Sequence, residues 1–417
     1  MEIEIPVQWF DNRKNQTVTS IESVNKVIPS GQINQIRAFH RQIPAFRMSP
    51  LKNLSNLADR LGLGGIWIKD ESARLNQGSF KVLGGSYALY QIIKKRLGRE
   101  NEEISFEELT SRNVKEKIGD LVFATATDGN HGRGIAWSAS QLGFRSIIYV
   151  HKLTTQGRIK AIEQNKGQVV VVDGNYDDAV RQVFQDSQKN GWEVVSDTSW
   201  EGYESVPKWV MQGYTTMLYE VQEQLAGQGL SKPTHVFVQA GVGSLAAATV
   251  GFYKNLFGKE SPISVVVEPT KAACLYHSAM MGDGKPHSVV GDLDTIMAGL
   301  ACGDPNPISW RLLSDCTDFF TISPDYVAAK GMRVYGFPLK DDPDIISGES
   351  GAVTLGSLMY IMEYPPLKQL REKMGLNKES HVLLINTEGN TSPEEFRDVV
   401  WNGGIPVPDE FKIHRSI

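Results

Sequence analysis

The sequence predicts an α/β protein with two open parallel sheets. Three observations carry this prediction. Short apolar runs rich in β-branched residues alternate with longer amphipathic stretches. Several of those runs end in a glycine-bearing loop that opens a helical pattern. The chain's 417 residues are enough for two ordinary domains with a large buried core.

The predicted strands are LVFATA (121–126), SIIYV (146–150), QVVVV (168–172), HVFVQA (235–240), ISVVVE (263–268) and HVLLIN (381–386). They are nearly continuous apolar runs, the pattern of strands covered on both faces in a parallel sheet. Helical patterns fill the gaps, for example at 177–189 and 213–225. The clearest strand-to-helix loops are TDGNHGRG (127–134), GVGS (241–244) and TEGN (387–390). Ligands of open α/β sheets sit beyond the carboxyl ends of the strands, so three such loops are expected to converge on one ligand. The stretch KDDPD (340–344) reads as an exposed surface loop. No repeat and no low-complexity tract interrupts the alternation.

Composition narrows the function classes. Hydrophobic residues make up 41% and charged residues 22% of the chain, and the net charge is −5. A mildly acidic chain has no general attraction to nucleic acid or anionic lipid. No apolar run approaches the roughly 18 residues of a membrane span. The N-terminus, MEIEIPVQWFDNRK, lacks the basic-then-apolar order of a signal peptide, so a cytoplasmic location is expected. Three cysteines, Cys274, Cys302 and Cys316, are too few for a disulfide scaffold, and no CxxC spacing points to a metal.

Four segments carry candidate chemistry. In SFKVLGG (79–85), Lys81 sits among apolar neighbours and ahead of paired glycines. A buried lysine that gives up its proton can condense with an aldehyde cofactor, although most lysines are merely solvated. Gly241, Val242, Gly243 and Ser244 follow a predicted buried strand. Backbone N–H groups at such a helix start bind phosphate, though the same loop also serves as a tight turn. In TDGNHG (127–132), Asn130 can donate to a ring oxygen, Asp128 is either a functional carboxylate or a helix cap, and His131 reads as a packing residue. In SDTSWEGYESVPKWVMQGY (196–214), Asp197 follows an apolar pair, and Trp200, Tyr203 and Trp209 supply bulk that excludes water.

These segments, in this order, resemble the fold-type II enzymes that use pyridoxal 5′-phosphate (PLP), the group of the threonine and serine dehydratases and the tryptophan synthase β family. Within it, NQGSFKVLGG, TATDGNHGRG, SDTSWEGY then MQGY, QAGVGS, VEP, MAGLACGDP, SGESGA and NTEGNT resemble the diaminopropionate ammonia-lyases. The match runs from about residue 43 to 403. The dehydratases usually carry a serine-rich segment before GNH, where this chain has Asp128.

The resemblance implies a homodimer whose protomer has two parallel-sheet domains with PLP between them. The large domain is expected over 1–87 and 206–417 and the small one over 88–205. It implies that Lys81 bonds the cofactor aldehyde, Asn130 the ring oxygen, residues Gly241 to Ser244 the phosphate and Thr387 the pyridine nitrogen. Asp128 and Asp197 match two acidic residues near the substrate. Cys274 and Cys302 fall where some members carry a cysteine pair at the site entrance. The implied reaction is α,β-elimination of 2,3-diaminopropionate to pyruvate and ammonia, and no residue is assigned as a metal ligand. Lys81 would take the α-proton from one face and Asp128 from the other, and Asp128 or Asp197 would hold the β-ammonium. A hydroxyl at Thr387 would leave the ring nitrogen unprotonated and favour elimination over transamination. The nearest alternative is a serine or threonine dehydratase or another β-eliminating PLP lyase, for which a neutral donor would suit the hydroxyl leaving group. A non-catalytic PLP carrier would not need the two carboxylates. A Rossmann nucleotide binder would need a GxGxxG that the chain lacks.

Overall fold

The computed structural model describes residues 5–14, 21–127, 129–152 and 154–413. Asp128 lies outside the described residues. The chain forms two compact units, Met1–Val27 with Ser49–Ser72 and Met217–Ile417, and Ile28–Met48 with Ala73–Thr216. Residues 28–48, 73–87 and 206–216 thus pack with the second unit, whereas the sequence reading placed them in the large domain.

The strands are β1 (Gln8–Asp11), β2 (Leu51–Asn53), β3 (Gly65–Asp70), β4 (Val122–Ala126), β5 (Arg145–His151), β6 (Gln168–Val172), β7 (Glu193–Val194), β8 (His235–Gln239), β9 (Ile263–Pro269), β10 (Phe319–Ser323) and β11 (His381–Asn386). In the first unit the sheet order is β1-β10-β9-β8-β11-β3-β2. Its five inner strands are parallel, and β1 and β2 pair antiparallel at the two edges. In the second unit the order is β6-β5-β4-β7, parallel throughout.

All six predicted strands form, within a residue or so of their expected ends. The inner strands β3, β8 and β10 are buried along their whole length, as continuous apolar runs require. β6 departs from that rule. Its QVVVV reads as a central strand, yet it lies at the sheet edge and Val171 is 55% exposed. The antiparallel edge strands were not foreseen, because QWFD and LKN are too short and too polar to stand out.

In the acidic stretch 340–344, Lys340, Asp341 and Asp344 are exposed as expected, and one residue departs from the surface reading. Asp342 is buried, and its carboxylate accepts from the backbone N–H groups of Asn56 and Leu57 at 2.8 and 2.9 Å. It caps the helix Ser55–Leu61, which has no side-chain cap of its own at Leu54. Among the described residues, no helix is long and apolar enough to cross a membrane.

Candidate active site

Each unit presents functional residues at the carboxyl ends of adjacent parallel strands. In the second unit these lie in the loops after β4 and β7, two strands that pair with one another. Lys81 is the first residue of the helix Lys81–Arg96. The chain enters that helix through a strained turn, in which Leu75 and Asn76 have φ values of 50° and 60°. A left-handed leucine costs about 1–2 kcal/mol and persists only where its surroundings hold it. Here Leu75 is buried, and its neighbour Arg74 donates to the Arg47 carbonyl at 2.9 Å and lies over the Phe46 ring.

The lysine helix is seated by direct backbone contact. A Cβ on Gly213 would lie 2.5 Å from the Leu83 carbonyl oxygen and 2.8 Å from the Gly84 Cα. Glycine is therefore required where the helix Ser205–Ala226 crosses it. His40 is buried beside that crossing. Its Nε2 donates to the Leu83 carbonyl at 3.0 Å, and its Nδ1 accepts from the Thr216 hydroxyl at 2.7 Å. Neither Gly213 nor His40 was singled out in the sequence, because only the crossing gives them meaning.

The structure brings Lys81 and Asp197 together. The Lys81 Nζ donates to Asp197 Oδ2 at 2.6 Å, with the side chains 21% and 15% exposed. Burial opposes ionisation of Asp197, but the Lys81 ammonium outweighs it and holds the carboxyl at about 2. Tyr203 fixes the backbone on which Asp197 stands. Its hydroxyl donates to the Val194 carbonyl at 2.8 Å and accepts from the Ser196 N–H at 3.0 Å, and its ring stacks on Trp200 at 4.1 Å. The Tyr203–Trp200 pair therefore braces the backbone on either side of the carboxylate.

Asn130 begins the helix Asn130–Leu142. The Thr127 hydroxyl accepts from the Gly129 and Gly132 N–H groups at 3.0 and 3.1 Å, at the start of that helix. His131 is buried, and its Nε2–H donates to the Val195 carbonyl at 2.8 Å. Burial pushes its pKa down, so it stays neutral and structural.

In the first unit, β8 and β11 are neighbours, so the loops that follow them lie together. Gly243 has φ 100° and caps the helix Ser244–Phe257, whose first turn has no side-chain cap. A Cβ on Gly243 would meet Ser309 and Leu313 at 3.2 Å, and one on Gly241 would meet Cys302 Sγ at 3.1 Å. Backbone alone can form this cradle. Asn306 fastens it, donating its N–H to the Val242 carbonyl at 2.8 Å and its Nδ2 to the Ser244 hydroxyl at 3.0 Å. The sequence did carry a signal for Asn306, an Asn-Pro step ahead of a helical pattern, since Asn306 also caps the helix Pro307–Cys316.

Gln239 Nε2 donates to the Thr387 hydroxyl at 2.9 Å and to the Ile385 carbonyl at 3.0 Å. With its oxygen accepting from Gln239, Thr387 keeps its proton for an acceptor elsewhere. Cys274 Sγ lies 3.7 Å from the Gly241 carbonyl oxygen, so both cysteines flank Gly241. Cys274, Cys302 and Cys316 are free thiols, and burial pushes the Cys274 thiol up.

Glu268 ends the β9 apolar run inside the VEP motif. Both its carboxyl oxygens face backbone N–H groups, of Leu275 at 2.8 Å and Tyr276 at 2.7 Å. Burial nevertheless raises its pKa from the usual 4.5 to about 8. A raised carboxyl stabilises the fold fully below its unfolded pKa and ceases to do so as pH rises through the folded one. Thermal stability is therefore expected to fall between about pH 4.5 and pH 8. Glu268→Gln, measured by thermal denaturation across that range, flattens the slope.

Both sets of residues fit PLP. A held primary amine suits the aldehyde, an uncapped helix start suits the phosphate, and a hydroxyl with an available proton suits the pyridine nitrogen. The comparisons with known proteins agree. The family model described as "Pyridoxal-phosphate dependent enzyme" matches residues 43–387. Diaminopropionate ammonia-lyase of Salmonella typhimurium is 47% identical over 371 residues, which is 89% of this chain and 92% of the relative. The enzyme of that name from Escherichia coli K12 is 47% identical over 373 residues, again 89% and 92%. The crystal structure of holo diaminopropionate ammonia lyase from Escherichia coli superposes with a TM-score of 0.89 at 43% identity, covering 97% of this chain and 100% of that one. The chain belongs to the family of PLP-dependent enzymes and, within it, to the diaminopropionate ammonia-lyases.

Proposed function

We propose that this protein eliminates ammonia from 2,3-diaminopropionate with PLP as cofactor, yielding pyruvate and a second ammonia. The observation that carries this reading is the Lys81–Asp197 pair, a primary amine held 2.6 Å from a carboxylate that stays ionised. When bound, PLP supplies an electron sink for the carbanion at the substrate α-carbon.

Lys81 holds the cofactor and, once its amine is neutral, accepts the α-proton at Nζ. Asp128 takes the α-proton from the opposite face for the other enantiomer. Asp197 holds the substrate β-ammonium, an attraction of about 4 kcal/mol at a partly dry site. That charge keeps the leaving nitrogen protonated, so it departs as neutral ammonia. Asn130 bonds the ring oxygen, Gly241, Val242, Gly243 and Ser244 the phosphate, and Thr387 the ring nitrogen. We further infer a cytoplasmic homodimer, supported by the family resemblance.

A coupled pyruvate assay with D- and L-2,3-diaminopropionate, serine and threonine tests the reading. Pyruvate release from diaminopropionate at a kcat/KM well above that for serine is expected. In Asp128→Asn, one enantiomer loses far more activity than the other. Serine turnover exceeding diaminopropionate turnover would favour the dehydratase reading, and equal loss on both enantiomers would remove Asp128 from its role.

A further inference from the structure

Gln239 ends β8, is 1% exposed, and sits where three elements of the first unit meet. Its Nε2 lies 2.9 Å from the Thr387 hydroxyl oxygen, 3.0 Å from the Ile385 carbonyl oxygen and 3.0 Å from the Ser350 carbonyl oxygen. Ile385 and Thr387 stand at the end of β11, and Ser350 lies in the first turn of the helix Glu349–Glu363. Gly351 lets that turn sit directly on the strand end. A Cβ there would lie 2.4 Å from Asn386 Oδ1 and 3.3 Å from the Thr387 nitrogen. The surrounding oxygens fix the Gln239 amide. Turned over, its own oxygen would face two carbonyls that have no proton to give, so the nitrogen keeps its place.

A threonine hydroxyl can donate or accept, so alone it suits either a bare ring nitrogen or a protonated one. Here its neighbour makes the choice. Among the described residues, the polar group bonded to the Thr387 hydroxyl is the Gln239 N–H, which can only donate. A protonated ring nitrogen would be a second donor aimed at the same oxygen. The hydroxyl proton would then have nothing to bond, at a residue only 4% exposed. Charge favours the opposite outcome. The carboxylates on the elements packed here are Glu388, which accepts from the Ser350 N–H at 3.2 Å, Glu349 at the start of the same helix, and Asp70, which stands beside Asn386 and pairs with Lys52 at 2.9 Å. Negative groups favour a protonated nitrogen, so the polarity of the hydroxyl is what opposes it.

We propose that Gln239 is a positioning residue: by donating to Thr387 it turns the hydroxyl proton onto the pyridine nitrogen of PLP and keeps that nitrogen unprotonated. This rests on the function proposed above. An unprotonated nitrogen is a weaker electron sink than a pyridinium, so residue 239 tunes the cofactor without a charge of its own.

The test is the nitrogen-15 NMR spectrum of full-length protein loaded with PLP labelled at the ring nitrogen, followed across a pH series. Protonated and unprotonated nitrogens resonate far apart. The parent is expected to show the unprotonated form near neutral pH. Gln239→Met keeps the length of the side chain and removes both N–H donors. The protonation midpoint of the ring nitrogen rises in this variant by about 0.5–1 pH unit, a roughly 3- to 10-fold larger protonated fraction above the midpoint. Adding Gln239→Met to Thr387→Val moves the midpoint no further, because the hydroxyl through which it acts is gone. Gln239→Glu keeps the size but brings an oxygen able to accept from Thr387. It shifts the midpoint in the same direction and serves if the methionine variant does not fold. A protonated nitrogen in the parent overturns the proposal without any variant. So does an unchanged midpoint in a folded Gln239 variant, or a shift that persists in the Thr387→Val background, which marks a general structural effect. Absence of a visible band in the purified parent instead sinks the PLP reading itself.

Discussion

Lys81→Ala is expected to lose the visible band of the bound cofactor and to lower turnover of diaminopropionate on the order of 10⁴-fold. One side chain supplies both the amine that holds the aldehyde and the base that takes the α-proton, and no other lysine replaces it at the start of that helix. The substitution also strips Asp197 of its counter-ion. Because the pair is mostly buried, losing it costs about 1–3 kcal/mol, less than a fully enclosed pair would. Absorbance spectra and the pyruvate assay on the purified variant check the result. A visible band that persists unchanged would reject Lys81 as the attachment point.

Asp197→Asn is expected to show the second-largest effect, a loss of about 10²- to 10³-fold in kcat/KM for diaminopropionate with much less loss for serine. The asymmetry follows from charge. Asparagine keeps the shape but cannot attract a β-ammonium, whereas a β-hydroxyl never needed that attraction. The two substrates compared in one assay distinguish this from general damage, which would lower both alike. A pH signature accompanies it. Asp197 has its folded pKa depressed from the usual 3.8 to about 2. A depressed carboxyl contributes stability above its unfolded pKa and loses it as pH falls through the folded one. Acid denaturation between about pH 4 and pH 2 is therefore shallower in the asparagine variant than in the parent.

Much of the architecture was legible because buried parallel strands advertise themselves. HVFVQA and HVLLIN are apolar on both faces, and both became inner strands of the first unit's sheet. QVVVV carries the same local signal yet ends a sheet, because edge position depends on which neighbours a strand acquires. The stretch KDDPD is exposed at Lys340, Asp341 and Asp344 as its charge predicts, but charge along the chain does not reveal that Asp342 would meet a helix start nearly three hundred residues earlier.

The site divides in the same way. By itself the sequence determined the kinds of group present, a lysine amid apolar residues, glycine loops after strands and carboxylates at strand ends, because each depends on neighbours within a few positions. Only the tertiary structure decided that Lys81 meets Asp197 and that the Thr127 hydroxyl bonds the start of the helix at Asn130. It also decided that Gln239 orients Thr387 and that Asn306 fastens the GVGS turn. Those relations join residues distant along the chain. Ionisation and hydrogen bonding follow distance in space, which local pattern does not encode.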